Sequence, residues 1–122
     1  MKQKVQVLIK LRADKIGFFI MSFYKIAIKP GPILEIGFGE PASNDKIIKD
    51  AATRLDELIK SGELSGGKMI KVNGPASVPV AMLLGHRLAH LYETVACYDP
   101  KLQCYVVVAC HGGAYRLGDI IK

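Results

Sequence analysis

The sequence has no apolar run near the ~20 residues that a membrane-spanning helix needs, which excludes such a helix. Val7, Leu8 and Ile9 form a short apolar stretch near the start, but Lys10 and Arg12 interrupt it. The stretch also lacks the long apolar core and the small-residue cleavage site of a secretory signal. We therefore expect a cytoplasmic protein that has no membrane partner.

Cysteine is scarce. The chain has three, Cys97, Cys104 and Cys110, with no CxxC spacing. An odd number without paired spacing argues against the disulfide framework of a small secreted domain. Because all three lie in strand-like runs, we interpret them as small buried apolar side chains. A zinc site that includes His111 is the alternative.

Several motifs of nucleotide and hydrolase chemistry are also missing. The chain has no Walker A sequence, no GxGxxG and no GxSxG nucleophile elbow. His86 and His90 are spaced i and i+4 on one helix face, but Arg87 occupies the position where HExxH has its glutamate. These absences exclude the common P-loop, dinucleotide-binding, serine hydrolase and zincin classes.

Positive charge is concentrated at one end of the chain. Residues 1–29 hold seven Lys or Arg and one acidic residue, whereas residues 30–122 hold ten of each sign. The balanced part is not a general nucleic-acid surface, because such surfaces neutralise many phosphates. We divide the chain into a basic extension, 1–20, and a single domain, 21–122. The extension is either a mis-assigned start or an RNA-binding arm.

Apolar periodicity predicts a small α/β domain. The predicted elements are strands at 23–29 and 33–38, a helix after Ser43, a strand at 69–72, a helix from Ser77 to about Tyr92, strands at 94–98 and 104–110, and a short last strand at 120–121. The order is β-β-α-β-α-β-β before that last strand. Strand–helix–strand units imply parallel neighbours, so we expect a mixed, partly parallel sheet.

Polar residues follow three of the predicted strands, namely Asn73-Gly74-Pro75, Asp99 and His111. Ligands of open α/β sheets bind beyond the carboxyl ends of parallel strands, so we expect these residues to share one edge. The N–H groups that follow Ser77 at the start of the second helix suit a phosphate. Gly74 would permit close approach of a ligand.

Each of these residues also has a plain structural interpretation. Asn73-Gly74-Pro75 is an ordinary turn sequence, and Asp99 can form an Asx turn. His86 and His90 can border the core or contact another subunit, and His111 can be an exposed surface histidine. The residue patterns alone therefore indicate no more than a small α/β domain that binds a nucleotide-sized anion.

Four segments together resemble a known family: NGPASVPVAMLLGHRLAHLY, VACYDPKL, VVVACHG and GDII. They are similar to the small CRISPR-associated ring nucleases of type III systems, distant relatives of the CARF domains that sense cyclic oligoadenylates. The upstream FGEPASNDKIIKDAATRLDELIKSGELSGG resembles forms fused to an AAA-type ATPase domain. The resemblance covers residues 21–121 and implies a CARF-related fold.

The resemblance implies a homo-oligomeric, metal-assisted phosphodiesterase. Such enzymes cut cyclic tetra-adenylate to linear di-adenylate and so switch off an antiviral signal. Some relatives are described as manganese-dependent RNA 3′ deadenylases, which makes Mn²⁺ the implied cofactor and poly(A) RNA an alternative substrate. A non-catalytic cyclic oligoadenylate sensor is a further alternative. The resemblance also implies homodimers that assemble into a tetramer around the ligand, with a composite active site.

The resemblance places the family's helix histidine on His90, its YDP aspartate on Asp99 and its strand-end histidine on His111. Lys101 stands where arginine is common, which keeps the charge but loses the bidentate fork. We expect His90 in acid–base catalysis, with Asp99 and Lys101 also catalytic. Asp99, His111 and His90 are the expected metal ligands. The expected substrate-binding residues are Asn73, Gly74, Pro75, Ser77 and His86.

Overall fold

A computed structural model describes residues 22–122 of the chain. The predicted basic extension and its boundary at residue 20 lie outside this part. Within the described residues, no helix combines the length and the apolar character needed to cross a membrane.

The secondary structure over residues 22–122 confirms the predicted α/β class and the predicted element order. The elements are β1 Tyr24–Lys29, β2 Ile33–Phe38, α1 Asn44–Ser61, β3 Gly67–Asn73, α2 Val78–Ala89, β4 Tyr92–Asp99, β5 Cys104–Cys110 and β6 Ile120–Ile121. Helix α2 ends earlier than predicted, because His90 caps it and Tyr92 already begins β4.

The strands of this region form one mixed sheet whose spatial order is the chain order, β1 to β6. Strands β2, β3 and β4 run parallel, and the helices α1 and α2 make the crossovers between them. The remaining neighbours pair antiparallel: β1 with β2, β4 with β5, and β5 with β6. The two modes follow from the connections, since a short turn reverses the chain whereas a helix returns it to the same end.

Both helices cover the same face of the sheet. Helix α1 packs against β1 and against α2, and α2 packs against β4. Leu34, Ile70 and Val95 project from the strands into the core, where they meet Leu55 and Leu88 of the helices. Each of these five side chains is at most 1% exposed. Their burial is the main apolar contribution to the stability of this layer.

The opposite face of the sheet, here named the open face, is covered by no helix of residues 22–122. Side chains alternate along each strand, so the residues between the core positions point to this face. On β1, exposed Lys25 and Lys29 alternate with buried Tyr24 and Ile26. The open face is therefore polar at β1, in contrast to the helix-covered face.

Candidate functional site at two ends of the sheet

The carboxyl ends of β3 and β4 form one edge, which we name the loop end (residues 73–77 and 99–101). The two strands are parallel neighbours, with Val72 opposite Cys97. Asn73 is one residue beyond Val72 and Asp99 is two residues beyond Cys97, so both lie at the same edge of the sheet. The structure thus brings together the predicted turn at Asn73, the acid Asp99 and the adjacent Lys101.

Gly74 is required by the backbone of the neighbouring strand. Its φ is +136°, and a Cβ atom at this position would lie 1.9 Å from the carbonyl oxygen of Ile36. This φ is one that side-chain-bearing residues rarely adopt. The structure therefore gives Gly74 a packing reason, the close approach of β2, and the expectation that it also makes room for a ligand stays a prediction.

A hydrogen bond from Tyr24 holds Pro75, the residue that follows Gly74 in the loop. Its hydroxyl donates a 2.6 Å hydrogen bond to the carbonyl oxygen of Pro75. Burial raises the pKa of Tyr24 to about 12, which keeps the phenol protonated as a donor. The Asp50 carboxylate accepts hydrogen bonds from the N–H groups of Phe23 and Tyr24, at 2.7 and 2.9 Å. The loop is thereby anchored to β1 and, through Asp50, to α1.

The two helices begin side by side at the loop end. Ser77 caps α2, because its Oγ accepts a hydrogen bond from the N–H of Val80. The same hydroxyl donates a 2.8 Å bond to Oδ1 of Asn44 in the first turn of α1. An open groove of about 520 Å³, lined by residues 38–44 with Ile47 and Ser77, lies at this junction. The positive ends of both helix dipoles therefore meet near the predicted phosphate loop.

Asp99 forms the Asx turn that its sequence context allows. Its Oδ1 accepts hydrogen bonds from the N–H groups of Lys101 and Leu102, at 2.8 and 3.3 Å. Within residues 22–122, no donor contacts its other carboxylate oxygen, which leaves that oxygen open to a group from outside this part of the chain. Lys101 is exposed at the tip of the same turn. A turn role and a binding role for Asp99 are therefore compatible.

The three histidines gather at the opposite edge, which we name the histidine end (His86, His90 and His111). The rings of His86 and His90 stack edge to face, with centroids 4.7 Å apart. Nε2 of His111 lies 2.9 Å from the carbonyl oxygen of Ala89. A carbonyl oxygen only accepts, so this Nε2 carries the proton. Exposed imidazoles thus surround the carboxyl end of α2.

The prediction that His111 shares an edge with Asp99 is wrong within one chain. Strand β5 runs antiparallel to β4 and ends opposite Thr94, so His111 follows it at the start of β4. His90 ends the helix that returns to that same edge. Asp99 lies seven residues farther along β4 than Tyr92, which is about 23 Å. The expected catalytic residues are therefore divided between two ends.

The expected metal ligands are divided in the same way. Asp99 lies at the loop end, whereas His90 and His111 lie at the histidine end, and residues 22–122 contain no cluster of three or more groups that could hold a metal ion. One chain therefore does not fit the implied Mn²⁺.

The positions of the cysteines fit their interpretation as small apolar side chains within strands. All three are free thiols, with Cys104 buried and Cys97 and Cys110 half-buried. Burial raises the pKa of Cys97, which disfavours the thiolate that binds metals or reacts. A role in packing accounts for them.

One ridge on α2 connects the two ends. Val78, Met82, His86 and His90 recur at i+4 spacing, so they lie along one face of the helix. Val78 is 72% exposed and Met82 is 71% exposed, which is unusual for large apolar side chains. We name these four residues the α2 ridge. It is apolar at Val78 and Met82, toward the loop end, and ends in two imidazoles at the histidine end.

Sequence reasoning missed Tyr24 and the pair Tyr98–Tyr105. Tyr98 pairs with Tyr105 across β4 and β5, with ring centroids 5.3 Å apart. The sequence did contain a signal for this pair. The length of the short turn between the two predicted strands determines which of their residues lie opposite each other. No comparable signal existed for Tyr24, whose partner Pro75 is 51 residues away.

Comparison with models of protein families places the chain in a known family. A family model described as CRISPR-associated protein (Cas_csx3) matches residues 43–122, a span that contains the loop end, the α2 ridge and the histidine end. No curated protein matches the chain. No solved structure matches it either. Because the family match covers well over half of the sequence, the chain belongs to this CRISPR-associated family.

Proposed function

We propose that this family member is a ring nuclease that cleaves cyclic tetra-adenylate to linear di-adenylate and thereby ends an antiviral signal. One observation carries the proposal: the groups suited to phosphate chemistry lie at two opposite ends of the domain. A complete site then needs two copies of the chain. The resemblance of the motifs to ring nucleases and the membership in a CRISPR-associated family support the choice of substrate.

The loop end supplies the groups that hold a phosphate. The first N–H groups of α2, after Ser77, form the positive end of a helix dipole. Exposed Lys101 adds a full charge that stabilises negative charge on phosphate oxygens during the reaction. The carboxylate oxygen of Asp99 that is outside the Asx turn orients a donor, such as an imidazole from another copy.

The histidine end supplies the groups that move protons. His90 is exposed and stands at the end of the α2 ridge, with His86 against its ring. Imidazole exchanges protons at neutral pH, which suits it to general acid–base catalysis. His111 is held by the Ala89 carbonyl through Nε2–H, so its other ring nitrogen, Nδ1, accepts a hydrogen bond from a ligand hydroxyl or a partner when neutral and donates to a phosphate only as the imidazolium.

Antiparallel pairing along the α2 ridge brings the two ends together. Helix α2 has 12 residues and is therefore about 18 Å long, which is close to the separation of the two ends. Two such helices packed antiparallel would set Val78 of one copy beside His86 of the other. Their dipoles would also be opposed, which is favourable. The twofold symmetry of this pair would create two equivalent sites.

Two equivalent sites fit the reaction, because cyclic tetra-adenylate yields two dinucleotides only after two cuts. In each cut, His90 of one copy would remove the proton from a 2′-hydroxyl, whose oxygen attacks the adjacent phosphorus. The P–O5′ bond breaks, and the leaving oxygen takes a proton from an acid such as a protonated imidazole. The product ends are a 2′,3′-cyclic phosphate and a 5′-hydroxyl. In the proposed tetramer two such dimers enclose the ring, and each dimer has the two sites that the two cuts need.

Subunit complementation tests the composite site. His90→Ala and Asp99→Ala should each abolish cleavage of cyclic tetra-adenylate when assayed alone. After the two variants are mixed and re-equilibrated, half of the dimers are mixed and each mixed dimer has one intact site, so about a quarter of wild-type activity should return. An inactive mixture of dimers that demonstrably exchange subunits would contradict the composite site.

A cleavage assay of the wild-type protein on two substrates separates the alternative functions. The wild-type protein is incubated with cyclic tetra-adenylate and with a poly(A)-tailed RNA, and the products are separated by chromatography. Faster turnover of the ring supports the proposal. Faster shortening of the tail would identify a 3′ deadenylase, and binding of the ring without cleavage would identify a sensor.

A further inference from the structure

Four side chains form a row across the open face, next to the loop end. Glu35 on β2 is opposite Asn73 on β3, and Tyr98 on β4 is opposite Tyr105 on β5. The register of β3 with β4 places Asn73 alongside Tyr98. We name these four residues the aromatic row. It adjoins the Gly74–Ser77 loop, because Asn73 is the last residue of β3.

The two rings of the row have different surroundings. Nζ of Lys71 lies 5.3 Å from the centroid of the Tyr105 ring, and the Tyr98 ring meets Tyr105 edge to face at 69°. Tyr105 is therefore contacted by both neighbours. Burial, then the neighbouring Tyr98 and Glu35, raise the pKa of Tyr105. Tyr98 is 37% exposed and is the ring of the row that offers a free surface.

We propose that the aromatic row is a base-binding subsite in which Tyr98 stacks on an adenine of a bound oligoadenylate and the Asn73 amide bonds its N6/N7 edge. The inference rests on the proposed function and deepens it, since the base would belong to the ligand whose phosphate occupies the loop end. Tyr105 supports the Tyr98 ring from the side, and Lys71 places a positive charge beside the strand.

The chemistry of the row favours adenine over other bases. Stacking on an aromatic ring is available to every base. A side-chain amide has a donor NH₂ group and an acceptor oxygen, which match N7 and the N6 amino group of adenine, whereas guanine presents two acceptors at that edge. The lysines of the open face, Lys25, Lys29 and Lys71, outnumber its acid Glu35 and so complement an anionic strand.

A binding experiment with a non-cleavable probe tests this subsite separately from catalysis. The probes are labelled 2′-O-methyl tetra-adenylate and tetra-uridylate, whose blocked hydroxyl cannot attack the phosphate, and affinity is read from fluorescence anisotropy. Wild-type protein should prefer the adenylate. Tyr98→Ala should weaken adenylate binding about tenfold, and Tyr98→Phe should retain it, because stacking needs the ring and not the hydroxyl. The chain has no tryptophan, so quenching of tyrosine emission gives a second readout.

Tyr115→Ala is the matched control, since Tyr115 is also 37% exposed but lies outside the row. It should bind both probes as the wild type does. Tyr98→Leu keeps an apolar side chain without a π face, and it should bind as weakly as Tyr98→Ala. Thermal melting of each variant shows that it is folded.

Any of three results would overturn the subsite. The first is a wild-type protein that binds both probes with equal affinity, the second is a Tyr98→Ala variant that binds the adenylate with wild-type affinity, and the third is a Tyr98→Phe variant that binds it as weakly as Tyr98→Ala does. A Tyr98→Ala variant that loses self-association and keeps its adenylate affinity would instead make the row an interface between copies. Loss of ring cleavage alone leaves the binding result standing, so failure of the proposed function and failure of the subsite are distinguishable.

Discussion

The hydroxyl of Tyr24 donates a 2.6 Å hydrogen bond to the carbonyl oxygen of Pro75, and this contact fixes the loop before α2 from a position 51 residues away. Tyr24 is 1% exposed, so water cannot replace the bond. Tyr24→Phe should lower the free energy of unfolding by about 1 to 2 kcal/mol near pH 8, because the Pro75 oxygen is left without its donor. Urea unfolding measures the difference.

The Tyr24 phenol also makes the stability of the protein depend on pH. An unperturbed tyrosine ionises at 10.0, and burial raises the pKa of Tyr24 to about 12. Between these values the unfolded chain loses the proton first, so stability present below pH 10 is lost as pH rises through 12. Tyr24→Phe has no proton to lose, so the stability gap between wild type and variant should narrow over this window. A gap that stays constant from pH 8 to pH 12 would contradict this linkage.

Gly74→Ala should be strongly destabilising. The new Cβ would lie 1.9 Å from the Ile36 carbonyl oxygen at a φ of +136°. We expect a loss of about 3 kcal/mol or more, since clash and backbone strain add. Gly85→Ala is the control, because a Cβ there meets nothing within 4 Å and the position is inside α2. It should stabilise by about 0.5 to 1 kcal/mol. Equal changes in the free energy of unfolding for the two substitutions would contradict the packing role of Gly74.

Met82→Glu should weaken self-association. Met82 is 71% exposed at the middle of the α2 ridge, and antiparallel pairing would bury it against a second copy. A charge there should raise the dissociation constant about tenfold or more. Leu117→Glu is the control, since Leu117 is 68% exposed but lies outside α2. The readout is sedimentation velocity over a concentration series. If both variants associate as the wild type does, the ridge is not the interface.

Removal of metal should leave cleavage active, and the products should end in a 2′,3′-cyclic phosphate. The reason is that the 2′-hydroxyl is the attacking group and His90 takes its proton. Mass spectrometry of products made in the presence of EDTA tests both points. Loss of all cleavage in EDTA, with no cyclic phosphate among the products made with Mn²⁺, would show instead that a metal-bound water attacks, with ligands from two copies.

The local structure of this domain was predictable from its sequence. Ser77 and Pro79 mark the start of α2 as expected, with the hydroxyl of Ser77 as the cap. The apolar stripe of α1 includes Ile47, Ala51 and Leu55, all of which are buried. These patterns depend on residues within a few positions of each other, which is why a single sequence reveals them.

The arrangement of the candidate site was predicted only in part. Residues 99–103 form a short turn, and a short turn joins antiparallel strands, so the sequence did encode the far position of His111. The error came from applying the rule for parallel strand ends to β5, which is not parallel. Contacts such as Tyr24 with Pro75 are different, because they depend on how distant segments pack and no local pattern reports them.

In the described region, strands that follow each other in the chain are always neighbours in the sheet. Each new strand therefore forms its pairing after closing a hairpin turn or, at most, a loop spanned by a single helix. Such low contact order favours rapid folding, because little chain entropy is lost before each contact forms. The domain can thus grow outward strand by strand from either hairpin, and a nascent chain emerging from the ribosome could begin to assemble before its last strand is made.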